Sequence, residues 1–166
     1  MNLTLAASDL FSFPIAAYQP ATYHPGSVAL PPTSLSATDW RNAALGALAV
    51  IQDESSQPDW DRPGTKAVAE ETLVAARRLV QELYRLLPRF VPGPDIVAEA
   101  DGEIDFSWYS ADGRAVSLSV SPRRTVSFAA NLGKKGVTHG WRPLEESVDE
   151  MVRLVVALFG SSPRGG

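Results

Sequence analysis

The chain has 166 residues, 45% of them hydrophobic and 20% charged, with a formal net charge of −4. This is a globular composition, sized for one domain or one domain plus an arm. The absence of cysteine excludes disulfides, thiol catalysis and thiolate zinc sites, and the negative balance argues against a general nucleic-acid binder.

Residues 1–35 read as an extended arm. Asp9 to Pro32 holds five prolines, which exclude a helix or a central strand, yet the same stretch carries Phe11, Phe13, Ile15, Tyr18 and Tyr23. Disordered segments usually lack aromatics, so this arm is expected to order against a surface, either its own sheet or a partner. "MNLTLAASDLF" has no basic residue ahead of its apolar run, and no run approaches the ~18 apolar residues of a membrane span. A cytoplasmic protein outside the membrane is expected.

A first helix is predicted from Ser36–Thr38, where hydroxyl side chains can cap free N–H groups, with Trp40, Ala44, Leu45, Leu48 and Ile51 at helical spacing. "QDESSQPDWDRPG" ends it as a linker. A second helix is predicted over 66–87. Ala69, Leu73, Ala76, Val80, Leu83 and Leu87 form one stripe, Lys66–Glu70 and Arg78–Glu82 are i,i+4 pairs, and Pro88 stops it. The stripe suits a core-facing helix better than a homodimer seam, although a homodimer stays open.

The period then changes from 3.6 to two. Four antiparallel strands are predicted at about 95–100, 103–110, 114–120 and 125–130. They are separated by Asp101-Gly102, Asp112-Gly113 and Ser121-Pro122-Arg123-Arg124, the glycines supplying the positive φ of tight turns. One face collects Ile104, Phe106, Trp108, Val116, Leu118, Val120, Val126, Phe128 and Ala130. The other collects Asp105, Ser107, Tyr109, Ser117, Ser119, Thr125 and Ser127. A fifth short strand fits 136–141. Pro143 is expected to open a last helix, with Glu145, Glu146, Asp149 and Glu150 near the positive end of its dipole. Gly160 ends it, and 161–166 should fray. The expected fold is α+β: a two-layer sandwich, a four- to five-stranded antiparallel meander with helices packed on one face, plus the Pro-rich arm. The domain spans 36–160.

Trp60, Asp61 and Gly64, followed by a helix and then Pro94, Ile96, Asp101, Gly102, Ile104 and Trp108, carry a resemblance. Residues 59 to about 130 resemble a broad group of small uncharacterised bacterial proteins with a Trp-Asp-x-x-Gly opening, a helix and a Pro-x-Ile…Asp-Gly-x-Ile-x-x-x-Trp strand pair. The resemblance implies the same α/β order and no activity or site residues.

Chemistry is sparse. The two histidines, His24 and His139, stand in no metal-ligand or acid–base pattern. No P-loop, nucleophile elbow or dinucleotide fingerprint occurs, so no catalytic residue, metal or cofactor is expected. "GKKG" at 133–136 reads as a hairpin tip rather than a nucleic-acid clamp, which would join two helices. Asp59, Asp61 and Glu70 surround Trp60, which is expected to plug the helix–sheet junction while Asp61 caps a turn. Asp101, Glu103 and Asp105 crowd the first hairpin as exposed acids.

Gly113 to Leu144 carries Arg114, Arg123, Arg124, Lys134, Lys135 and Arg142 and no acid, so this strip is +6 and the remainder −10. These six are candidate anion-binding residues. The favoured function is a small non-enzymatic protein-binding module, an inhibitor, antitoxin-like or assembly factor that docks Phe11, Phe13, Ile15, Tyr18 and Tyr23 on another protein. Nucleic-acid or polyanion binding through the basic strip is the alternative, and an enzyme with an unrecognised site the third.

Overall fold

The structure is a computed structural model that describes residues 40–160. The arm, the Ser36–Thr38 cap and the tail at 161–166 lie outside the described residues. The order is α1 (Trp40–Glu54), α2 (Glu70–Leu86), β1 (Asp95–Ala98), β2 (Ile104–Tyr109), β3 (Ala115–Val120), β4 (Thr125–Asn131), a 3₁₀ turn (Gly133–Lys135), β5 (Val137–Pro143) and α3 (Leu144–Phe159). The five strands form one antiparallel meander in sequence order. This is the expected α+β sandwich, with the helices on one face.

The inward face holds all nine residues that the period-two pattern places there, Ile104 through Ala130, and every one is buried. Ala44, Leu48 and Ile51 of α1, Leu73, Ala76, Val80 and Leu83 of α2, and Leu144, Met151, Val155 and Leu158 of α3 complete one core. Leu83 is wholly enclosed, so the helical stripe is core. Leu83→Ala should cost about 2–5 kcal/mol; a loss under half a kcal/mol in urea unfolding would show the stripe unpacked.

Two expectations about α2 are corrected. The helix starts at Glu70, not Lys66. Lys66 lies in an extended segment whose N–H donates to Ala100 O at 2.9 Å, so it forms no helical pair with Glu70. Nor does Arg78 pair with Glu82. Arg78 reaches Glu145 of α3 at 3.3 Å, and Glu82 takes Arg85 at 2.7 Å. Pro143 likewise ends β5 rather than opening α3.

The Trp-Asp-x-x-Gly segment is a structural junction. Asp59, at φ 61°, accepts the Gly64 N–H on its carboxylate at 2.7 Å. Trp60 is half-buried and donates its indole N–H to Lys66 O at 3.0 Å. The turn cap is therefore Asp59, not Asp61, whose neighbour is Arg62 at 3.8 Å. A Cβ on Gly102, at φ 85°, would meet Ala67 O at 2.8 Å. So this glycine serves both the hairpin turn and the approach of the 65–68 segment.

The fifth strand is longer than expected: all seven of its residues pair with β4, from Asn131↔Val137 to Thr125↔Pro143. Gly140 makes that possible. It sits opposite Phe128, and a Cβ there would lie 2.8 Å from the ring. Gly140→Ala should therefore cost about 1–3 kcal/mol through overpacking. Phe128→Leu in the same chain should recover part of that in denaturant unfolding; no recovery would place the strain elsewhere.

Candidate protein-binding surface

Every second residue of the strands points away from the helices, and the registers align them into rows across the sheet. Tyr109, Ala115, Asn131 and Val137 form one row. Asp95, Ser107, Ser117, Ala129 and His139 form the next, and Val97, Asp105, Ser119, Ser127 and Trp141 the third. The middle of this open face is a floor of serine and alanine. Its margins are large and apolar: Val97 is 49% exposed, Tyr109 64%, Val137 76% and Trp141 66%.

The acids at the β1–β2 margin are more constrained than expected. Glu103 and Asp105 are half-buried rather than solvated. Ser107 and Ser117 donate hydroxyls to the two Asp105 carboxylate oxygens at 2.5 and 2.7 Å, and Ser119 donates to Glu103 at 2.6 Å. The Ser117 and Ser119 bonds cross from β3 to β2 and its lead-in and stiffen the floor. All three serine hydroxyls are held as donors to carboxylates. Ser117 and His139 share a row but stand two strands apart, about 10 Å, too far for the hydrogen bond that activates a nucleophile.

Burial, then Asp105 and Asp101, push the neighbouring Glu99 carboxyl above its ordinary value. A carboxyl raised on folding binds its proton more readily in the native state. Its charge therefore opposes folding above the native pKa, and that cost is relieved as pH falls through the raised value. Asp105→Asn should lower the Glu99 midpoint in an NMR titration. An unmoved midpoint would show that Asp105 has no part in the shift.

The six basic residues do not form one strip. The meander puts Arg114, Lys134 and Lys135 at the end bearing the β2–β3 and β4–β5 turns. Arg123 and Arg124 occupy the β3–β4 turn at the other end, with Arg142 nearby. A six-residue strand separates the ends by about 20 Å. Arginines of both ends are paired with acids: Arg114 with Asp112 at 2.8 Å, Arg124 with Glu145 at 2.5 Å and Arg142 with Glu150 at 3.4 Å. Hydrogen bonds from Arg114 and then Ser110 hold the exposed Asp112 carboxyl at about 2. The Glu145 carboxyl is held below its ordinary value by its own backbone N–H at the start of α3, then by Arg124 and Arg78.

A concavity of about 600 Å³ lies between α1 and the loop leading into β1. Its floor is alanine (Ala43, Ala44 and Ala47), with Phe90 and Ile96 at its sides. Gly93 lets the loop close on Trp40, since a Cβ there would lie 2.7 Å from the Trp40 Cβ. The Trp40 ring meets Tyr84 edge-on at 5.3 Å.

Phe11, Phe13, Ile15, Tyr18, Tyr23 and His24 lie outside the described residues. Val97, Val137 and Trp141 are surface residues that the sequence reading did not single out. The signal for the last two was the alternation Val137, His139, Trp141 in a segment read only as an optional strand. Among the described residues no group of acids and histidines is arranged to hold a metal ion, and no helix is long and apolar enough to cross a membrane. Comparison with protein-family models, with curated proteins and with solved structures finds no match.

Proposed function

We propose that the chain is a non-enzymatic protein-binding module that docks a partner protein through aromatic side chains. These are the aromatics of the N-terminal arm and those exposed on the open sheet face. The observation that carries this reading is the gathering of Val97, Tyr109, Val137 and Trp141 around a floor of small side chains. Large exposed apolar side chains on a face with a polar surround suit an interaction site. An aromatic side chain buries about 150–250 Å². At roughly 25 cal/mol per Å², covering Tyr109 and Trp141 supplies several kcal/mol to an interface.

The test is capture from a lysate of the source organism on immobilised full-length chain, with bound proteins quantified at about 0.1 and 0.5 M salt. Aromatic docking keeps its partner across that range, whereas phosphate contacts weaken steeply with salt. Capture of nucleic acid that disappears at high salt would replace this reading with the polyanion one. Lys134→Glu combined with Lys135→Glu should leave partner capture within about twofold, since peripheral charges contribute little beside buried anchors. Loss of capture in that variant would move the site to the basic turn.

A further inference from the structure

The two edges of the sheet are treated differently. At β1 the strand is four residues long, Pro92 and Pro94 precede it, and the 65–68 segment is bonded across its far end through Lys66 N–H and Ala100 O. These are ordinary ways of blunting an edge. At β5 the edge is seven residues long and exposed. The bonds Leu132 N–H to Gly136 O and Leu144 N–H to Arg124 O bracket the β4–β5 ladder. With the observed register, they assign residues 138, 140 and 142 to the bonded pairs with β4. Val137, His139 and Trp141 therefore turn their N–H and C=O groups outward. Among the described residues no backbone group meets them; only the Arg142 guanidinium touches Trp141 O, at 3.5 Å.

We infer that β5 is a strand-addition edge whose occupant is β5 of a second copy, joining two five-stranded sheets into one across a two-fold axis. This inference does not depend on the partner-binding reading above.

The edge is complementary to itself. In an antiparallel pairing centred on His139, the residue meets itself, and Val137 faces Trp141 of the second copy in both directions. All three outward-facing residues then fall in hydrogen-bonded pairs. On the open face this makes two aromatic–β-branched cross-strand pairs, a favourable combination. A pairing centred on Gly140 would instead assign Pro143, which has no N–H, to a bonded position. The favoured register also carries the basic Lys134–Lys135 turn past the start of α3 of the second copy, where Glu145 and Glu146 lie. Arg142 falls opposite Gly136 of the second copy, so no arginine or lysine meets another face to face.

The full-length chain should show a mass that doubles with concentration up to about 100 µM by sedimentation or light scattering, the range suited to a small interface. His139→Pro removes an outward N–H and leaves the β4 ladder untouched; Trp141→Lys places a charge on the edge. Both should be monomeric at every concentration, and Trp141→Lys should keep the wild-type circular dichroism. Because the chain has no cysteine, His139→Cys gives a single thiol that a short bis-maleimide should link into dimers. Ala129→Cys, one strand inward, should not link. A wild-type chain that stays monomeric, a dimer that survives Trp141→Lys, or equal linking at 139 and 129 would each overturn the inference.

Discussion

Replacing Trp108 by alanine should remove about 3–5 kcal/mol of stability, a large part of what holds a domain of this size together. Among the described residues Trp108 is the largest fully buried side chain, set in β2 opposite Val116 of β3. Its indole N–H donates to Pro92 O at 3.0 Å. That bond ties the loop before β1 to the centre of the sheet, so truncation leaves a cavity and also an unpaired carbonyl. Trp108→Phe separates the two effects. It keeps most of the volume and should cost about 1 kcal/mol for the lost hydrogen bond, plus a smaller packing loss. Urea unfolding followed by circular dichroism measures both. A Trp108→Ala loss below 1 kcal/mol would mean that the loop and sheet repack around the gap.

The sheet was legible because its physics is local. Period-two alternation sorts Ile104, Phe106 and Trp108 from Asp105, Ser107 and Tyr109 without knowledge of the partner strands, and Asp-Gly pairs announce two of the turns. Gly102 and Gly113 do adopt positive φ. In the third turn Arg124 takes φ 57° instead, a conformation its residue type does not advertise. The start of α2 was hidden for the opposite reason. Ala69 continues the helical spacing, but the backbone before it is held by Ala100 and Trp60, far away or outside the pattern. The length of β5 was masked by Gly140 and Pro143, both poor strand residues. Gly140 is there for the Phe128 ring, a cross-strand fact. The basic strip misled because its counter-charges, Glu145 and Glu150, come from a helix that follows it, and because a meander alternates its turns between two ends. The serine–carboxylate bonds of the open face were out of reach for the same reason: Asp105 and Ser117 are neighbours only once the register is set.

Deleting residues 1–35 should reduce partner capture at least about tenfold, equivalent to 1.4 kcal/mol, while the melting temperature moves by less than about 2 °C. The body has its own support: among the described residues one buried core runs through α1–α3, β2–β4 and the segments around Val68, Leu87 and Val91. Phe11→Ala, Phe13→Ala and Tyr18→Ala together should weaken capture nearly as much without shortening the chain, because a few aromatic anchors dominate most interfaces. A companion variant with Val97→Ser and Tyr109→Ser tests the sheet face separately, leaving the β5 edge intact. These side chains are exposed, so replacing them should leave melting almost unchanged and also reduce capture. A sharp drop in melting on deletion would make the arm a strap for its own domain. If deletion leaves both capture and melting unchanged while the face variant loses its partner, the open sheet face alone binds, and the aromatics of the arm have no part in it.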